Sequence, residues 1–301
     1  MYGIRQNTIV LSVLLLVAAA TQLTAQTPLA LRVGLVTQVK PSPTAGSVSR
    51  GVELGAAEAK QTATLFDGDV LLFEEKAGAN AESAAAKLLG QRKVQVLIGS
   101  SADDADALSR FAEKHGLIFF NTSSRATALR AACRRYTFHV EASDSMYANA
   151  SRRGGSSAPS TGSTLLWSGS LEKYGASQIN DRFRSRYHSA MDGSAWAGWV
   201  AVKMAAEAAL RARSARPTAL LAYLESPSTS FDGHKGWPLS FRSADHQLRQ
   251  PLYVVVSSAK PGEPIRDVPA LSALAAGGTN ANQLLDAVMP RSTTRCAWKR
   301  S

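Results

Sequence analysis

Short apolar runs that stop abruptly in small polar residues recur through the first half of the chain. Residues 31–37, 69–75, 117–120 and 136–140, together with Val94, Val96, Leu97 and Ile98, are rich in β-branched or aromatic side chains. Runs of this length between polar segments predict buried parallel strands. Helical spacing lies between them. Residues 48–64 present Val52, Leu54 and Ala56 on one face, and residues 81–89 follow Asn80, a suitable N-cap. Residues 103–115 carry Ala105, Leu108, Phe111 and Ala112 at three- and four-residue steps, and a short helix is expected over 125–132. Strand and helix alternate five times with short connections. That order predicts an α/β fold built on a doubly wound parallel sheet.

Two strand ends stand out. The third run stops at Gly99-Ser100-Ser101 and the fourth at Asn121-Thr122-Ser123-Ser124. Open α/β sheets bind ligands outside the carboxyl ends of their strands, so these hydroxyls and amides form a candidate ligand cradle. The alternative is a pair of ordinary strand-to-helix turns, with Ser123 or Ser124 capping the next helix.

The pattern breaks after residue 150. Residues 151–163 have no apolar periodicity and are dominated by Gly, Ser, Pro and Arg, the composition of a flexible linker. Helical spacing resumes over 171–186, with an interruption at Gly175. It continues over 195–213, capped by Asp192 or Ser194, and from Pro217 to Leu224. Trp196, Trp199, Val200 and Met204 form a stripe there, read as core packing. A hairpin is expected from strands at 237–241 and 252–256, joined through 244–247. Beyond it the chain is Pro-, Gly- and Ala-rich and ends in basic residues.

Composition is that of a globular protein, with 45% hydrophobic and 19% charged residues. The net charge of +11 invites a nucleic-acid reading. However, the arginines are scattered and no zinc finger, RNA-type aromatic signature or basic heptad accompanies them, so no nucleic-acid partner is expected. Arg5 followed by an apolar core over 9–20 and small residues to Ala25 has the layout of a secretory signal over 1–25. Export allows Cys133 and Cys296, the two cysteines, to pair; two free thiols are the alternative. Neither a Walker loop nor Gly-x-Gly-x-x-Gly, HExxH or Gly-x-Ser-x-Gly is present, and the five histidines are isolated in sequence. No cofactor, metal or catalytic residue is expected.

The succession of Val-Gly-Leu-Val (33–36), an alanine-rich helix, Val-Leu-Ile-Gly-Ser ending at Ser100 and Phe-Phe-Asn-Thr-Ser ending at Ser123 resembles a known family. It is that of the ABC-transporter substrate-binding proteins of the branched-chain amino-acid type. Leu171-Glu172-Lys173-Tyr174-Gly175-Ala176, Lys235-Gly236-Trp237-Pro238-Leu239-Ser240-Phe241-Arg242 and Gln247-Leu248-Arg249-Gln250-Pro251 look like the subfamily associated with PQQ-dependent alcohol oxidation. The resemblance implies a type 1 periplasmic-binding-protein fold, in which a solute is captured between two lobes and passed to an inner-membrane permease without catalysis. It places ligand contacts at Ser100, Ser101, Asn121, Thr122, Ser123 and Ser124. The solute would be small, polar and organic: amino acid-like, or an alcohol or acid.

On this reading residues 26–150 form the first lobe and 151–165 a linker replacing most of the second. Residues 166–228 are a helical return packing on the first lobe, 229–257 the hairpin and 258–301 a loosely ordered basic tail. The exported chain would be periplasmic, and either a monomer or a dimer formed through the half-open cleft. A protein-interaction module using that exposed cleft is the competing class.

Overall fold

The computed structural model describes residues 28–78, 80–153, 164–254, 266–267, 285–286 and 296–298. Its centre is a five-stranded, wholly parallel sheet of β1 (Leu29–Gln38), β2 (Gly68–Ala77), β3 (Val96–Gly99), β4 (Ile118–Asn121) and β5 (Thr137–His139). Their spatial order is β2-β1-β3-β4-β5. The order reverses between β1 and β3, and such a switch point opens a crevice at the strands' carboxyl ends.

The pleat sorts side chains to two faces. Leu31, Val33, Leu35, Val96, Ile98, Ile118 and Phe120 belong to the larger core, which includes the residues of α1 (Pro43–Thr64) and α7 (Gly193–Ala212). Val36, Leu97 and Phe119 pack on the other face against α2 (Ala81–Lys87) and α3 (Ala105–His115). Asn80 caps α2, its side chain accepting from the Ser83 amide at 2.8 Å. The first helix begins five residues earlier than apolar spacing predicts. Ser42 accepts from the Ala45 amide at 3.2 Å, and Pro43 stands in the first turn. Pro there forfeits no helical hydrogen bond, so the start is a capping signal rather than a hydrophobic one.

Helices α1 and α7 run side by side in close backbone contact. A Cβ on Gly51 would lie 1.9 Å from the Ala195 carbonyl oxygen, and one on Gly198 would lie 2.4 Å from that of Val48. Asp192 starts α7 by accepting from the Ala195 amide at 2.8 Å, and the same oxygen accepts from Ser47 Oγ of α1 at 2.7 Å. The helical return thus packs on the first lobe, and Trp196 and Trp199 are core residues. Two shorter helices accompany them, α6 (Ala176–Tyr187), entered through a 3-10 turn that ends at Gly175, and α8 (Pro217–Glu225).

Three expectations change. Residues 151–153 are not linker but the end of a helix, α5 (Asp144–Arg153), and 164–165 form a strand, β6 (Thr164–Leu165). Residues 154–163, like the signal over 1–25, lie outside the described residues. The predicted hairpin has a different second strand. A three-stranded sheet joins β7 (Phe231–Asp232), β8 (Pro238–Phe241) and β9 (Leu248–Arg249), whereas β10 (Tyr253–Val254) pairs with β6 and with β11 (Arg266–Asp267). Finally, the tail is fastened: Cys133 and Cys296, 163 residues apart, form a disulfide, and Arg249 Nε donates to Asp286 Oδ1 at 2.8 Å.

The downstream motifs are mortar. Gln247 Nε2 donates to the carbonyls of His139 at 3.1 Å and Glu141 at 3.0 Å, and Gln250 Nε2 to that of Val140 at 2.7 Å. They cover the β5 edge, whose open backbone would otherwise invite pairing. Buried Lys235 donates to the Leu166 and Pro251 carbonyls and to Gln250 Oε1 at 2.8–3.0 Å, with Trp196 beneath it. The second lobe is partly missing: apart from the five-stranded sheet, the described residues form only the two small three-stranded sheets, with α5 leading into β6.

Candidate functional site

The predicted residues converge where the order reverses. The Ser100 amide donates to the Val36 carbonyl at 3.0 Å, and Thr122 Oγ1 donates to the Gly99 carbonyl at 3.1 Å. The loops after β1, β3 and β4 are therefore laced into one surface. Ser101 Oγ accepts from Gln38 Nε2 at 2.9 Å and from the Asp103 amide at 3.3 Å. Asn121 folds its own turn: Oδ1 accepts from the Ser124 amide at 2.9 Å and Nδ2 donates to the Ser124 carbonyl at 2.8 Å.

The six residues thus divide. Ser101, Asn121, Thr122 and Ser124 are held in the scaffold by these bonds. Ser100 Oγ and Ser123 Oγ are buried with no hydrogen-bond partner. A buried hydroxyl without a partner costs about 1–3 kcal/mol, so two at one mouth are an expense the fold does not recover by itself. The capping alternative is not realised for Ser123, and Ser124 Oγ reaches only the Ala126 amide, at 3.4 Å, while α4 (Thr127–Ala131) has no side-chain cap.

The end of β5 contributes groups that the sequence reading passed over. Glu141 is buried, and its Oε1 accepts from the Ala142 amide at 2.9 Å and from the Tyr147 hydroxyl at 2.7 Å. Burial pushes its carboxyl above the usual range, against the pull of Tyr147, Arg125 and Arg130. Arg125 lies 3.9 Å from the same oxygen, and its guanidinium sits 4.0 Å above the Tyr147 ring. Below them Arg130 is a buried hub that donates to Gln247 Oε1 and to the Ser124, Ala126 and Glu141 carbonyls at 2.7–3.0 Å. Burial lowers its pKa to about 10, which leaves it charged at neutral pH. The signal for Glu141 was available: it is the first charged residue after a strand, at the same sheet end as the two loops singled out.

His139 and His246, remote in sequence, meet here, the His139 amide donating to the His246 carbonyl at 2.9 Å. His139 is fully buried and held well below the ordinary histidine pKa, first by burial and then by Arg130. Its Nδ1 lies 3.2 Å from Asn121 Nδ2, so the ring accepts that proton as a neutral imidazole. No group of three or more His, Cys, Asp or Glu among the described residues could hold a metal ion. No helix of the described residues is long and apolar enough to cross a membrane.

A groove of about 1170 Å³ lies at the opposite, amino-terminal end of the sheet, beside Leu29, Phe66 and Trp199. None of the predicted residues lines it. Of its carboxylates, Glu58 is already taken by Trp199 Nε1 at 2.8 Å and Arg182 Nε at 2.6 Å. The switch-point mouth, with its unpaired hydroxyls, is the better candidate site.

Residues 41–158 match the family model described as periplasmic binding protein. None of the curated protein sequences compared with it matches the chain. Among solved structures, a branched-chain amino-acid ABC-transporter periplasmic ligand-binding protein from Burkholderia xenovorans is similar, with a TM-score of 0.69 at 12% identity over 89% of this chain and 99% of that one. LivJ from Streptococcus pneumoniae, in complex with isoleucine, gives 0.62 at 14% identity over 79% and 99%. A solute-binding protein of an ABC transporter from R. palustris, in complex with benzoate, gives 0.60 at 14% identity over 79% and 95%. The chain therefore has the type 1 periplasmic-binding-protein fold, with that family's sequence pattern carried by residues 41–158.

Proposed function

We propose that this protein is the solute-binding component of an ABC importer, holding a small polar organic solute at the carboxyl ends of β1, β3 and β4. The observation that carries the reading is the pair of buried, unpartnered hydroxyls of Ser100 and Ser123 at the sheet's switch point. Ser101, Asn121, Thr122 and Ser124 shape the mouth around them and lend backbone groups to the ligand. No catalysis is involved, and an inner-membrane permease receives the solute from the exported, periplasmic protein. The similar structures hold isoleucine and benzoate, which sets the size of solute to test. The sequence resemblance to the PQQ-associated subfamily adds alcohols, aldehydes and their acids. Because effective sites bury about 70–90% of a ligand, a cleft with a reduced second wall binds weakly.

A second reading follows from that reduction. With the second lobe reduced, the mouth would be open to a protein partner, and the chain would then serve as an interaction module or pair with itself.

A thermal-shift panel of amino acids, short alcohols, aldehydes and carboxylates separates the two. A solute at a hundred times its Kd adds about 2.7 kcal/mol and raises Tm. The shift should vanish in the Ser100→Ala, Ser123→Ala double variant. No shift with any solute, together with dimerisation blocked by a bulky substitution at Ser123, rejects transport in favour of the module.

A further inference from the structure

We infer that Arg125 is a pre-set anion clamp at the rim of this mouth, so that the captured solute is an organic acid without an amino group. The inference rests on the solute-binding reading and names its ligand class.

Three observations converge on Arg125. It follows Ser123 and Ser124 in the same loop, two residues after the unpartnered Ser123 hydroxyl, and its side chain is 40% exposed. Two contacts position it before any ligand arrives: its guanidinium carbon is 4.0 Å from the Tyr147 ring centroid and its Nε 3.9 Å from Glu141 Oε1. The loop is fixed as well, since the Asp144 amide donates to the Arg125 carbonyl at 3.3 Å. Finally, among the described residues the guanidinium has only Glu141 and the Tyr147 side chain as neighbours that bond or stack with it. A long side chain ordinarily loses rotamer entropy when it is ordered on a ligand. Here stacking has already met much of that cost.

The free edge of a guanidinium presents parallel N–H groups, the match for the two oxygens of a carboxylate. The unpartnered Ser123 hydroxyl, two residues away in the same loop, adds a neutral donor. An α-ammonium next to that carboxylate would lie within reach of the same positive charge and would need an anion of its own. Glu141, the carboxylate touching Arg125, does not serve. It is buried, its Oε1 already accepts two hydrogen bonds, and burial favours its neutral form. Benzoate-like and short aliphatic acids fit this distribution; zwitterions do not.

The test titrates the purified chain with three matched probes, 4-methylpentanoate, 4-methylpentanamide and leucine, which share a carbon skeleton, and with benzoate against benzamide. The expected result is that the acids bind at least about tenfold more tightly than the amides and leucine, as charge-assisted hydrogen bonds require, with the preference shrinking as salt rises. Arg125→Gln should erase the acid preference while its ligand-free Tm stays near wild type. Arg125→Lys, which keeps the charge but loses the fork, should restore part of it. Amides binding as well as acids, leucine outbinding 4-methylpentanoate, or an unchanged acid preference in Arg125→Gln overturns the clamp and leaves the solute site standing. No binding of any probe, or of the wider panel, overturns the solute site and the clamp with it.

Discussion

At the scale of single residues, the cleft floor depends on groups whose protonation is set by burial. His139 is neutral in the folded chain because its ring is desolvated and faces Arg130, and because Nδ1 accepts from Asn121. Its folded pKa lies well below the unfolded value of 6.5. Between those two values the unfolded chain binds the extra proton, so stability is full above pH 6.5 and falls as the pH drops below it. The loss approaches about 1.4 kcal/mol per pH unit. Glu141, raised by burial, acts in the opposite sense, favouring the fold as pH falls toward the unfolded value of 4.5. Urea unfolding at pH 7, 6 and 5 should therefore show a decline that is flattened in His139→Gln, which can still accept from Asn121. An equal decline in both proteins would assign the acid sensitivity elsewhere.

At the scale of elements, the junction of α1 and α7 holds the returning half of the chain against the first lobe. It depends on missing side chains. Gly51 and Gly55 on α1, and Gly198 on α7, each sit where a Cβ would enter the other helix's backbone, at 1.9, 2.7 and 2.4 Å. Backbone cannot retreat as a flexible side chain can. Gly51→Ala should cost on the order of 3 kcal/mol or more, the upper range for overpacking. Gly46 lies in the same helix, where an added Cβ meets only Arg50 Nη1 at 3.7 Å. Gly46→Ala should instead stabilise by about 0.4–1 kcal/mol through reduced unfolded-state entropy. Thermal unfolding of both variants tests the contrast, and a tolerated Gly51→Ala would mean the helices are farther apart than described. The sequence shows these glycines as small residues in helices. It does not show that they face one another.

At the scale of the whole molecule, the disulfide decides where the tail ends. Cys133 and Cys296 bring Trp298 onto the molecule, its Nε1 donating to the Cys133 carbonyl at 3.0 Å and its ring 3.8 Å from that of His246. Closing a loop of this length stabilises by about 2–4 kcal/mol, mainly by restricting the unfolded chain. Cys296→Ser should lower stability by that amount and shift Trp emission as Trp298 gains solvent. Unchanged stability and emission after reduction would show that the tail is held without the bond. The same fastening covers His246, whose ring also stacks on Phe138 at 4.3 Å, so the tail supports the β5 end of the cleft floor.

Period and punctuation in the sequence were enough to determine the parallel sheet and most of its helices, α5 excepted, and to single out the ends of β3 and β4 as candidates. Such signals are local: a buried strand must be apolar throughout, a helix must show its stripe, and each must end in residues that satisfy free backbone groups. Four decisions belonged to tertiary structure alone. Leu248–Arg249, not residues 252–256, pairs with Pro238–Phe241, because register between short strands depends on which edge is open. The six candidate residues divide into four bonded ones and two with unspent hydroxyls, because hydrogen-bond partners come from distant loops. Two cysteines 163 residues apart became one bond. Arg125 acquired Tyr147 as a platform, a contact between a loop and a helix that no spacing rule encodes.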